Sequence, residues 1–264
     1  MRGANAEIII QERDRHLLKE LAMLRVIDRE QAKIVGAFGS TTRVNTRLLA
    51  LTKEGLLRRF FLGASEGNKK AVYGLSAKGA ALIGTTPRGL RRPNDALLVA
   101  DFFVLHQLAI NDIYCELKRA TANPGISFVR WLSFHEPLTQ SLRLIPDAYF
   151  ELGTATTTIA AFLEVDLGHE RLMVWTGKIR SYLQFALSGD YEPTFGQKQF
   201  RVLVVANSER RLLSLRKAVR CSTQKIFWFT TIDSLRSQGP FATIWLRPEG
   251  DQLQPLFQIP LSIS

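Results

Sequence analysis

The chain has 264 residues, 46% hydrophobic and 22% charged, which fits one large or two modest globular cores and excludes a disordered chain. Its formal charge of +11 is uneven: residues 1–95 hold 18 Lys/Arg against 9 Asp/Glu and residues 96–264 hold 17 against 15, so a polyanion-binding surface is expected in the first third. There is no apolar run of membrane-helix length, no signal-peptide core, and no Cys/His set at zinc-ligand spacing around Cys115 or Cys221, so a cytoplasmic protein with no membrane partner is expected.

From Glu7 to Val26, apolar residues Ile10, Leu17, Leu18, Leu21 and Leu24 recur at helical spacing. Asp28 then offers an N-cap with Gln31 as its capping-box partner, opening a short helix to about Phe38. Gly39-Ser40 is a turn, with Ser40 or Thr41 capping a third helix through Val44, Leu48 and Leu51. Leu56–Leu62 reads as a strand, residues 63–70 as a glycine-rich basic loop and Ala71–Leu75 as the returning strand, with Ser76 opening another helix.

Three helices followed by a basic-tipped hairpin resemble a winged helix-turn-helix over residues 8–84. That resemblance implies a third helix in the major groove of double-stranded DNA, with Thr41, Thr42, Arg43, Asn45, Thr46 and Arg47 available for contacts. It also implies Lys69 and Lys70 against backbone or minor groove and Arg58 and Arg59 against phosphates. Paired half-sites would make a homodimer the matching assembly. The expected domains are therefore residues 1–84, a Pro/Arg-rich linker at 85–95, and a second domain over 96–264.

The second domain opens with a long helix to about Ala120 and a strand at Ile126–Phe134. A strand led by Pro146-Asp147 follows, and then a strand at Thr156–Asp166 with a nearly continuous apolar run, Ile159 to Leu163 and Val165, that ends in Glu164 and Asp166. Residues two apart on a strand share a face, so two adjacent strands would hold Asp147, Glu164 and Asp166 near one another, a set suited to Mg²⁺. A helix at Leu172–Leu187 bearing Lys178, a strand at Phe200–Ala206, a helix at Ser208–Val219 and strands at Ile226–Phe229 and Ala242–Leu246 complete an α/β sandwich with a mixed sheet.

This order resembles the restriction-endonuclease-like PD-(D/E)XK superfamily, and with the first domain the whole chain resembles the replication-relaxation family of plasmids and other mobile elements. The resemblance implies a two-domain α/β protein acting on DNA in replication initiation or relaxation, with other replication or mobilisation proteins as partners. The superfamily implies Mg²⁺ at Asp147 and Glu164 and a lysine two residues beyond the glutamate, where this chain has Asp166. Lys178 is the candidate displaced lysine, completing a catalytic set of Asp147, Glu164, Asp166 and Lys178, and Glu116 is a further candidate carboxylate. Mg²⁺ is expected only if that site is active. The alternatives are a Mg²⁺-dependent endonuclease targeted by the winged helix and a winged-helix transcriptional regulator.

Overall fold

The computed structural model describes residues 8–63, 70–86, 102–122, 125–140 and 142–257. Contacts group the chain into two units, Met1–Cys115 and Glu116–Ser264. Among the described residues no helix is long and apolar enough to cross a membrane.

In the first unit, helix α1 (Glu12–Leu24) buries Leu17, Leu18, Leu21 and Leu24 along the stripe its spacing foretold. The chain then forms strand β1 (Val26–Asp28), where the sequence places the end of a helix at Val26 and the cap of the next at Asp28. Helix α2 (Arg29–Val35) starts on the expected capping box: Asp28 accepts from the Gln31 N–H, and the Gln31 side chain accepts from the Asp28 N–H. Helix α3 (Thr41–Lys53) is capped by Ser40, whose hydroxyl accepts from the Arg43 N–H.

Strands β2 (Leu57–Leu62) and β3 (Lys70–Leu75) pair antiparallel, and β1 joins the far side of β3, so the sheet order is β1-β3-β2. Helix α4 (Ala77–Leu82) follows the Ser76 cap. Gly79 sits there because an added Cβ would lie 2.2 Å from the Leu56 carbonyl oxygen. The tip of the basic loop, residues 64–69 with Lys69, and most of the expected linker, residues 87–95, lie outside the described residues.

Helix α5 (Phe102–Ala120), expected as the first helix of the second domain, has its residues through Cys115 in the first unit. There Val104 and Leu108 pack against Val26, Phe60, Leu62 and Val72 of the sheet. Buried Asn111 donates to the Leu24 and Val26 carbonyls and accepts from Gln107, satisfying backbone acceptors around β1.

The second unit is built on a five-stranded mixed sheet in the order β4-β5-β6-β7-β8. Strands β4 (Ser127–Leu132), β5 (Ala148–Gly153) and β6 (Thr158–Asp166) are antiparallel neighbours. Strands β7 (Arg201–Ala206) and β8 (Phe227–Thr231) continue parallel to β6. Parallel neighbours need crossover helices. Helix α6 (Leu172–Leu187) with the short α7 (Tyr191–Phe195) connects β6 to β7, and α8 (Glu209–Arg220) connects β7 to β8.

These helices cover one sheet face, where Tyr149, Phe162, Val202 and Phe227 meet Trp175, Tyr182, Phe185 and Leu215. Phe162 lies at the centre of that aromatic layer, with Tyr149 and Phe200 rings at 5.0 Å. Helix α9 (Ile232–Gln238) follows β8. The strand expected at Ala242–Leu246 is reduced to single bridges, Phe229 with Leu246 and Trp245 with Gln254.

Candidate functional site

Two sets of polar residues stand out, one in each unit. In the first, α3 exposes Thr42, Arg43 and Thr46, with Thr41 and Asn45 half-buried. Asn45 and Lys70 line a cleft of about 240 Å³ together with Arg29 and Tyr73. Lys70 also pairs with Asp28 at 2.5 Å, which ties the hairpin to the start of α2. On β2, Arg58 and Arg59 lie over Phe60 and Phe61 at 5.0 and 5.1 Å. Arg29 was not foreseen, although its place just after the Asp28 cap was legible.

Arg47, expected among the DNA contacts, is engaged within the unit. Its guanidinium grips both carboxylate oxygens of fully buried Asp14 on α1, with Nε to Oδ1 at 2.7 Å, and also donates to the Ile9 carbonyl. Its hydrogen bond to Asp14 raises its pKa above the usual value, against the opposing effect of burial. Arg47 is therefore tied inside the unit, while Thr42, Arg43 and Thr46 of the same helix stay exposed.

In the second unit, the register of β5 and β6 brings Asp147, Glu164 and Lys178 together. Asp147 directly precedes β5, and its Oδ2 accepts from the Val165 N–H at 2.7 Å. Fully buried Glu164 accepts from Lys178 Nζ at 2.9 Å on one oxygen and from Tyr182 OH at 2.6 Å on the other. Trp175, Lys178 and Tyr182 follow at i, i+3 and i+7 on one face of α6, so a single helix supplies these donors. Lys178 reaches Glu170 at 3.0 Å as well.

Burial pushes the Glu164 carboxyl up to about 7 and the charge of Asp147 adds to this, while Lys178 and Tyr182 oppose it. Burial alone would lower Lys178, but the carboxylates of Glu164, Asp147 and Glu170 outweigh it and hold the ammonium above its usual pKa. Tyr182 is likewise raised by burial and Glu164, so it keeps its proton and donates.

Asp166 is brought to a different set of partners. It receives two bonds from Arg211, at 2.9 and 2.8 Å, one from Trp175 Nε1 at 2.6 Å and one from the Gly168 N–H at 2.6 Å. Burial favours its neutral form, yet Arg211, Trp175 and Gly168 prevail and hold it below the usual carboxylate range. A depressed folded pKa stabilises above the unfolded value of about 3.9 and is lost as pH falls through the folded value. Asp166→Asn should therefore cost roughly 2 kcal/mol at pH 7, and the difference from wild type should shrink toward pH 3, as read by urea titrations across pH. An equal loss at both pH values would show that packing, not charge, holds this corner.

The donor set does not fit the three-carboxylate Mg²⁺ site. Asp166 is saturated by its own donors, and both Glu164 oxygens are already engaged. Among the described residues, no group of three or more His, Cys, Asp or Glu is placed to hold a metal ion. Glu116 bonds to Arg119 on its own helix. What the arrangement does present is an acid pair, Asp147 and Glu164, with one ammonium against it. Arg211 and Tyr182 were missed as partners; only Tyr182, one helical turn beyond Lys178, carried a readable signal.

No curated protein and no solved structure matches the chain. A match to the replication-relaxation family covers residues 18–199, from within α1 to beyond α7, and takes in the exposed face of α3 as well as Asp147, Glu164, Asp166 and Lys178. Since that match spans more than half of the sequence, the chain belongs to the replication-relaxation family.

Proposed function

We propose that this protein binds double-stranded DNA of a plasmid or other mobile element through its first unit and acts in replication initiation or relaxation of that DNA. One observation carries the reading: a helix–strand–helix–helix–strand–strand order closes a β1-β3-β2 sheet while α3 leaves Thr42, Arg43 and Thr46 exposed. That order is the one expected of a winged helix, and short polar and guanidinium side chains suit base edges and phosphates. Membership of the family agrees with a role on DNA.

The test is binding of the full chain to duplex DNA from its own element across salt concentrations, wild type beside Thr42→Ala/Arg43→Ala/Thr46→Ala. Affinity should fall steeply with salt, and the triple variant should lose roughly 1–3 kcal/mol of discrimination between specific and random duplex. A flat salt response, or unchanged discrimination, sinks the proposal.

A second reading, a metal-dependent DNA endonuclease, has in its favour the contact of Lys178 with Glu164, which puts a lysine beside the acid pair despite its absence at position 166. It requires Glu164 to exchange a donor for a cation. Nicking of supercoiled DNA with Mg²⁺ or Mn²⁺, abolished by Asp147→Ala, would establish it; intact DNA under both ions would leave the DNA-binding reading alone.

A further inference from the structure

Strands β7 and β8 align Leu203 with Trp228, so Arg201, two residues earlier, shares the face of Trp228. On the other side of β8, the Phe229–Leu246 bridge brings Arg247 alongside the same tryptophan. The two guanidinium carbons lie 4.4 and 4.5 Å from the Trp228 ring centroid. This face is opposite the one that carries Glu164, because Glu164 aligns with Val204, an odd number of residues from Arg201.

The pair is electrostatically incomplete. Arg201 donates to the Leu256 carbonyl at 2.7 Å, and Arg247 donates to the Gln224 and Lys225 carbonyls. Among the described residues neither has a carboxylate in hydrogen bond or ion pair. Burial lowers the pKa of both, and the charge of Arg247 depresses Arg201 further. Carbonyl bonds use a few of the five N–H donors of each guanidinium and leave its net charge uncompensated. Exposed Lys198 and Lys225, in the loops leading into β7 and β8, add charge of the same sign.

We propose that Arg201 and Arg247, braced on Trp228, bind backbone phosphates of nucleic acid, giving the second unit a contact surface of its own. Arg201, Trp228 and Arg247 lie beyond the family-matched residues, and the proposal rests on the reading of the chain as a DNA-binding protein. Guanidinium groups held on an aromatic ring keep their forks oriented for phosphate oxygens, and indifference to base identity is expected.

The experiment compares wild type, Arg201→Gln/Arg247→Gln and Arg201→Lys/Arg247→Lys on one duplex of matched and one of random sequence, with inorganic phosphate as competitor. Glutamine keeps a donor for the carbonyls but drops the charge. The Gln pair should weaken both duplexes equally, by roughly tenfold at 0.15 M salt, and reduce the log–log salt slope by about two. The Lys pair should restore most of the slope. Competition by millimolar phosphate alone, with no change of slope in the Gln pair, would assign the surface to a free anion and overturn the proposal.

Hydrogen exchange on wild type keeps the test independent of variant folding: residues 198–203, 224–229 and 245–249 should gain protection on DNA. Absent protection there, or identical slopes at equal melting temperature, overturns this surface while leaving the first-unit reading intact. Wild type that binds neither duplex removes both.

Discussion

Replacing Arg47 by alanine should unfold the first unit before it reveals anything about DNA. Asp14 is fully buried on α1, and Arg47 is its charge partner, chelating both oxygens from α3. Removing one member of a buried pair leaves an ion in low dielectric, a loss of about 3–5 kcal/mol, which is a large fraction of the stability of a small domain. The Gln11 N–H still donates to Asp14 at 2.7 Å, but one amide cannot replace a bidentate guanidinium.

Urea unfolding should show this loss for Arg47→Ala, and Asp14→Asn/Arg47→Met should recover a good part of it because no charge is left stranded. Arg43→Ala, whose side chain is exposed on the same helix, should change stability by less than about 0.5 kcal/mol. If Arg47→Ala melts like wild type and only DNA affinity drops, the Asp14 tie is dispensable and Arg47 belongs with the exposed contacts.

The contrast between Arg43 and Arg47 marks the limit of what one sequence discloses. Local signals were legible because they act within a few residues: the Asp28–Gln31 capping box, the Ser40 cap, the apolar run of β6 and the full extent of α6 follow from side chains that touch near neighbours. The tie of Arg47 to Asp14 was not legible because the partner lies 33 residues away, and a helical arginine has the same spacing whether it faces solvent or an acid. One clue was available. Asp14 precedes Leu17 and Leu18 on the apolar stripe of α1, and an acid on that stripe demands a cation.

The acidic cluster divides in the same way. Strand periodicity placed Glu164 and Asp166 on one face, correctly, but the crossover through α6 and α8 gave each its own partner: Lys178 and Tyr182 for one, Arg211 and Trp175 for the other. Helices α7 and α9 escaped because five and seven residues are too few to display a period. β1 escaped because three residues of strand are defined by their partner, β3, and not by any alternation of their own.

Lys178→Met tests the second unit at its most expensive point. Glu164 is fully buried with Asp147 beside it, and Lys178 is the ammonium that makes its ionised form tolerable. In wild type the raised folded pKa of Lys178 means that its stabilisation is fully present below the unfolded value near 10.5 and is lost above it. The variant removes that contribution and also removes the effect that lowers the Glu164 carboxyl, so the folded pKa of Glu164 climbs above about 7.

A raised carboxyl stabilises fully below its unfolded value of about 4.5, and that stability is lost as pH rises through the folded value. The deficit of Lys178→Met relative to wild type should therefore be about 3–5 kcal/mol at pH 8, and it should narrow progressively as the pH is lowered toward 5, where Glu164 takes up a proton. Adding Glu164→Gln should remove most of the pH dependence, because the neutral amide still accepts from Tyr182 OH without needing a cation. Denaturant midpoints for the three proteins from pH 5 to 9 decide the matter: a deficit that is constant with pH, or that grows on acidification, would mean that Lys178 supports this unit through its packing on Trp175 at 5.2 Å and not through the charge of Glu164.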